Sequence, residues 1–232
     1  MAKLGDMLGT TTSAVQDYLK GLFMIGEGIG SDDPVSTTAI AQHLGVSAAS
    51  ATNMLKKLDS LGLVVHVPYR GVELTDPGRK VALEVLRHHR LLETYLAEAL
   101  GVPWDQVHAE AEVLEHVLSE ELEERISARL GHPTADPHGH PIPSKDLTSP
   151  PPPSRTLWDV SEGAAVVVDR VSDSDPRALR YLAELGITPG ANAEVRGRGP
   201  VGGPLFLCVE NAGVMGQERA ISKELAEVVW VA

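Results

Sequence analysis

The stretch "VHAEAEVLEHVLSEELEERI", Val107 to Ile126, concentrates groups able to bind a cation: two histidines and seven glutamates in twenty residues. Glu112, Glu115 and His116 stand at i, i+3 and i+4, the spacing that brings three side chains to one face of a helix. His108 lies four residues before Glu112 and would continue that face, and upstream His89 and Glu93 form another i, i+4 pair. Like charges on one face repel unless a positive partner sits among them. Carboxylate oxygens joined by imidazole suit a divalent ion such as Mn(II) or Fe(II). The downstream run "SEELEER" reads instead as a solvated acidic face. His66 and His88 have no matching partner in sequence and read as wing or surface residues.

These groups need helices to hold them, and residues 81–130 are almost free of Gly and Pro. Residues 131–155 are crowded with proline and cannot continue a helix; "PPPP" reads as extended polyproline. Residues 156–232 carry β-rich runs, "AAVVVDRV", "ANAEVRGR", "PLFLCVE" and "EVVWVA", with one short helix near 176–185. The Gly-rich "RGRGPVGGP" lacks a strand–GxGxxG–helix setting and reads as a hairpin loop.

The N-terminal third has a different plan. In "VSTTAIAQHLGVSAASATNMLKKLDSLGLVV", Ser36 or Thr37 caps a short helix that Gly45 ends. Ser47 caps a second helix, with Ala51, Met54, Leu55 and Leu58 on its buried face and Gly62 at its end. This is a helix-turn-helix, and the second helix opens with Ser47, Ala48, Ala49 and Ser50, small enough to enter a major groove. Ser47, Ala49, Ser50, Thr52, Asn53 and Lys56 are the candidate DNA contacts on it. Leu63–Val67 and Val72–Thr75 flank "PYRG" as a β-hairpin wing, which places Arg70 at the tip for phosphate or minor groove.

Charge follows the same division. Ser36 to Arg90 holds seven Lys/Arg against four Asp/Glu, while Leu91 to Leu130 holds ten Asp/Glu against two Arg. The net charge of −12 excludes a general basic coat but not this local one. One cysteine, Cys208, excludes an internal disulfide and a thiolate zinc cluster. No run reaches membrane-spanning length, and "MAKLGDMLGT" lacks a signal-peptide core, so a cytoplasmic protein without a membrane partner is expected. There is no HExxH, nucleophile motif or phosphate-cradling loop, so an enzyme is not expected; a Mn-dependent metalloenzyme is the distant alternative.

A winged helix, then "HHRLLE" and "VHAEAEVLEH", then "HPTADPHGHPIP", then a small β-module resembles the diphtheria toxin repressor family of iron- and manganese-dependent regulators, over essentially the whole chain. The resemblance implies a mainly α chain with a β-rich C-terminal module. The expected parts are a winged helix-turn-helix DNA-binding domain at 1–76, a helical metal-binding and dimerisation domain at 77–143, a Pro-rich linker at 144–155 and an SH3-like barrel at 156–232. It implies a homodimer on operator DNA that represses metal-uptake genes. It assigns Asp17, in "QDYLK", with Glu112, Glu115 and His116 to one metal site, and His89, Glu93 and His108 to an ancillary site. Larger members add ancillary ligands from the C-terminal domain; Asp173 and Asp175 in "SDSDP" lie near that position, and Asp175 is the candidate carried forward. The Pro-rich loop is ordered in the family, so His132, His138 and His140 are not assigned as ligands.

Iron-responsive members carry Cys at the position of Glu112 and Met at that of Asp17. Oxygen in place of sulfur brings this chain nearest the manganese-sensing branch, with Fe(II) as a second candidate and an iron-dependent repressor as the alternative. Small manganese sensors have an acid where this chain has Lys20, which points to separated primary and ancillary sites and away from a two-metal cluster.

Overall fold

The computed structural model describes residues 11–29, 33–150, 154–211 and 214–232. The N-terminal decapeptide and most of the "PPPP" run, with the extended character its sequence suggests, lie outside them. Two compact units divide the chain. The first takes the described residues of Met1–Leu91, Glu112–Thr134 and Ile142–Pro152; the second takes those of Leu92–Ala111, Ala135–Pro141 and Pro153–Ala232.

The first unit opens with α1 (Ser13–Ile29), whose Val15, Leu19, Leu22 and Phe23 recur at helical spacing and are buried. α2 (Thr37–His43) is capped by Ser36, whose hydroxyl accepts from the amide of Ala39. α3 (Ala48–Ser60) is capped by Ser47 in the same way and buries Ala51, Leu55 and Leu58, while Met54 is half-buried against the same core. Gly62 leaves α3 at a φ of 71°, a conformation that costs a glycine nothing. β1 (Val64–Val67) and β2 (Gly71–Leu74) pair antiparallel as the wing, with Val64 opposite Leu74. α4 (Asp76–Leu100) follows at once. Gly78 lets its first turn lie against the wing's base, since a Cβ there would meet the carbonyl oxygen of Leu63 at 1.9 Å.

Residues 81–130 are not one helical run. α4 ends at Leu100, α5 spans Val107–Leu114 and α6 spans Glu120–Arg129. Ser119 caps α6 through the amide of Leu122. Glu115 and His116 therefore lie in the turn after α5, not on a helix with Glu112. The "SEELEER" run is also less simple than a solvated face. Glu123 is buried and pairs with Arg87 at 2.6 Å.

The second unit holds a five-stranded antiparallel sheet in the order β6-β5-β4-β3-β7. Its strands are β3 (Ala165–Val171), β4 (Asn192–Arg198), β5 (Leu205–Asn211), β6 (Val214–Ile221) and β7 (Val229–Val231). "RGRGPVGGP" makes the connection from β4 to β5, as a hairpin should. Bulges at Val168/Arg170, Val195/Gly197 and Cys208/Glu210 interrupt the register and bend the strands. α7 (Pro176–Leu185) has Asp175 as its cap and buries Leu179 and Leu182, and α8 (Lys223–Ala226) precedes β7. Val168, Val195, Leu205, Leu207 and Ile221 fill the core of this unit.

Candidate functional site

The acidic turn after α5 meets α1. Asp17 Oδ1 lies 2.9 Å from His116 Nε2, and Asp17, Glu115 and His116 offer ligand atoms within 4.8 Å of one another. Asp17 Oδ1 is buried with no hydrogen-bond partner among the described residues. His116 places Nδ1 2.6 Å from Gln16 Oε1. That amide oxygen can only accept, so Nδ1 carries the proton and Nε2 presents its lone pair toward Asp17. An orphaned carboxylate oxygen beside a bare imidazole nitrogen fits a divalent ion.

Glu112 and Glu115 have a second neighbour that sequence spacing did not place. Lys20, one helical turn after Asp17, sets its Nζ 2.6 Å from Glu112 Oε1 and 2.6 Å from Glu115 Oε1. Burial alone would push the Lys20 ammonium toward neutrality, but Glu115 and Glu112 outweigh it and hold its pKa above the ordinary value. Burial also holds the Asp17 carboxyl above its usual range, against the pull of His116 and Lys20. The like-charged face does have its cation, and part of that cation is covalently attached.

The spacing pairs His89 with Glu93 alone. The structure turns its Nδ1 to Glu115 Oε2 at 2.5 Å, and His89, Glu112 and Glu115 also come within 4.8 Å. Glu112 thus joins Glu115 and His89, while Asp17 and His116 gather on the other side of Glu115.

In the second unit, His108 Nδ1 lies 3.2 Å from Glu93 Oε1 and 3.6 Å from Asp173 Oδ2. His108 therefore leaves the face of Glu112 and joins Glu93 instead. Burial disfavours an ionised Asp173, yet the imidazoles of His140 and His108 outweigh it and hold its pKa below the ordinary carboxylate value. Asp175 is not in this group. Its carboxylate accepts from the side chain and amide of Arg177, which brings its pKa to about 2, and it serves as the cap of α7. The sequence "SDSDP" admits either aspartate; the demand for a cap before Pro176 settles which one turns away.

His138 in the Pro-rich loop is fully buried, stacks on Trp104 at 5.6 Å and bonds its carbonyl through Nε2. Asp136 accepts the amides of His138 and His140, which folds the loop. His88, a surface residue by its sequence, is buried between α4 and α6.

The DNA-facing candidates lie on one surface. Ser47, Ala49, Ser50, Thr52, Asn53, Lys56 and Arg70 are all exposed. Ser47 is partly engaged in capping, and Thr52 donates to the carbonyl of Ala48, which leaves Asn53 and Lys56 as the freer donors. Arg70 pairs with Asp33 at 2.7 Å, both largely exposed, a contact worth well under about 1 kcal/mol and easily exchanged for a phosphate.

Comparison with known proteins agrees with this geometry. Residues 10–72 match the iron dependent repressor N-terminal DNA binding domain, 75–144 the iron dependent repressor metal binding and dimerisation domain, and 155–232 the FeoA domain. The iron-dependent repressor IdeR of Mycobacterium leprae is 34% identical over 180 residues, 72% of this chain and 78% of that protein. The chain belongs to the diphtheria toxin repressor family. Among solved structures, a manganese-dependent transcriptional repressor in complex with manganese is 43% identical, with a TM-score of 0.85 over 94% of this chain and 98% of that one. ScaR with bound Cd2+ is 32% identical, with a TM-score of 0.77 over the same shares. As a member of the family, this repressor is a metal-dependent transcriptional regulator and not an enzyme. It binds operator DNA as a homodimer. No described helix is long and apolar enough to cross a membrane.

Proposed function

We propose that this repressor responds to Mn(II), with Fe(II) as a second effector, and silences genes for uptake of that metal in the cytoplasm, where operator DNA is found. The observation that carries the reading is the donor set: Asp17, Glu115 and His116, with Glu112 adjacent, offer oxygen and imidazole nitrogen and no sulfur. These residues would hold the primary ion, and Glu93, His108 and Asp173, with His89 one turn away on α4, the ancillary one. The Lys20 ammonium supplies positive charge where a second ion of a paired cluster would need to sit, which favours a single ion at the primary centre.

The cation supplies the charge that lets Asp17 on α1 and the turn after α5 stay together as anions. α1 packs into the core that also holds α2 and α3, so fixing Asp17 biases the position of the reading helix. An effector shifts that equilibrium only by its differential affinity for the two arrangements, so the coupling must pass through a ligand on α1. The test is operator binding by metal-stripped protein titrated with Mn(II), with Fe(II) under anaerobic conditions, and with Zn(II). Binding that rises with Mn(II) and is lost in Asp17→Ala supports the reading. Metal dependence unchanged in Asp17→Ala refutes the coupling, and an equal response to Fe(II) makes the protein a dual sensor.

A further inference from the structure

We propose that Glu84, His88 and Glu123 form a third divalent-cation site, tetrahedral and of zinc type, buried between α4 and α6. Glu84 and His88 stand one turn apart on α4, and Glu123 reaches them from the first turn of α6. All three are buried, His88 to 2% exposure. None of them belongs to the primary or ancillary groups.

The hydrogen bonds of His88 prepare it as a ligand. Its Nδ1 lies 3.2 Å from the backbone carbonyl oxygen of Glu115. A carbonyl only accepts, so the ring proton belongs on Nδ1 and the lone pair on Nε2. Nε2 is buried and has no hydrogen-bond partner among the described residues. It faces Glu84 Oε1 at 3.7 Å and Glu123 Oε2 at 3.6 Å.

Those separations discriminate between two kinds of contact. They are too long for an N–H···O hydrogen bond, which weakens sharply beyond about 3.2 Å. A zinc–ligand bond of about 2.1 Å sets neighbouring tetrahedral ligands roughly 3.4 Å apart, whereas an octahedral ion needs them nearer about 3.0 Å. The spacing found is close to the tetrahedral edge, and the carboxylate oxygens also lie within 4.8 Å of each other. Three protein donors leave the fourth position to water.

The surroundings support the same ligands. The other oxygen of Glu123, Oε1, accepts from Arg87 Nε at 2.6 Å, and Arg87 Nη1 donates to the carbonyl of Pro143 at 2.6 Å. The carboxylate is thereby held with Oε2 toward His88, while the Glu115 carbonyl holds the imidazole. Such outer partners are what orient ligands at metal sites. Two buried carboxylates against one guanidinium also leave negative charge uncompensated, which a cation removes.

The test is metal stoichiometry in the full-length protein. Metal-stripped protein is dialysed against Zn(II) and, separately, Co(II), and bound metal is counted by mass spectrometry. The Co(II) visible spectrum reports tetrahedral coordination. Glu84→Gln should lose one equivalent of Zn(II) and the tetrahedral Co(II) band, while retaining Mn(II)-dependent operator binding. An unchanged count and spectrum in Glu84→Gln overturns the proposal. Anomalous diffraction at the zinc edge, on the unsubstituted protein, gives an answer independent of folding in the variant: a peak among the three side chains supports the site, and none at saturating zinc refutes it. Failure of the Asp17 coupling would leave this count untouched, so the two readings fall separately.

Discussion

Replacing Lys20 by methionine keeps the aliphatic stem and removes the charge. The ammonium is nearly buried and makes two contacts of 2.6 Å, one to the fully buried carboxylate of Glu115 and one to the half-exposed carboxylate of Glu112. At an effective dielectric of about 20, each such contact is worth roughly 6 kcal/mol in gross attraction, most of it offset by desolvation of the ions. The observable quantity is the cost of taking one partner away. A buried carboxylate left without its cation costs about 3 kcal/mol, the lower end for broken buried pairs, because Glu112 can turn to solvent. For a chain of this size that is a fall of roughly 6–12 °C in melting temperature for metal-free protein. Mn(II) should reverse most of the loss, because the vacated oxygens of Glu112 and Glu115 then serve a cation from solution. Bound manganese per chain should rise by one. The assay is calorimetric melting with and without Mn(II), paired with a metal count. Metal-free Lys20→Met melting within about 2 °C of the parent would refute the claim that this lysine neutralises the acidic centre.

Asp17 gives a pH dependence. Its carboxyl pKa is raised in the metal-free fold, so the folded state holds that proton more tightly than the unfolded chain does. The contribution to stability is present below the ordinary carboxylate range and is lost as pH rises through the raised value. The rise in melting temperature on adding Mn(II) should therefore be larger near neutral pH than in mild acid, checked by thermal melts under both conditions; an increment that does not grow with pH contradicts it. Lys56→Ala should weaken binding to all sequences alike and flatten the salt dependence by about 0.9 in the log–log slope, as expected for one lost phosphate contact, read from operator titrations at several salt concentrations. Gly78→Ala should destabilise the first unit by about 2 kcal/mol, because the new Cβ would sit 1.9 Å from the Leu63 carbonyl oxygen and α4 must shift, measured by urea unfolding.

The winged helix was legible because each of its boundaries has a local cause. Ser36 and Ser47 cap their helices with their own hydroxyls, and Gly62 turns the chain where only glycine does so freely. α7 was legible for the same reason, with Pro176 at its first position and Gly186 past its end. The break between α5 and α6 was not. "LEHVLSEEL" contains neither Gly nor Pro, and its local mark is Ser119, which competes with an unbroken run of good helix formers. β6 was also missed: "VMGQERAI" alternates poorly, and its strand state comes from pairing with β5.

At the site, residue types were legible and their partners were not. Helical spacing joins His108 to Glu112, but the fold separates them, sending one to Glu93 and the other to Lys20. Lys20 and Glu112 are separated by 92 residues, and no local pattern carries information over that distance. Charge alone does anticipate a positive partner, because glutamates crowded on one face require one. An ammonium and a metal ion both answer that electrostatic demand, and Lys20 meets it as well as manganese would. What separates them is geometry: the lysine reaches Glu112 and Glu115 but leaves Asp17 Oδ1 buried without a hydrogen bond beside the bare nitrogen of His116. A cation tethered to α1 cannot come and go with metal supply, so only the part of the demand left unmet can make the protein a sensor.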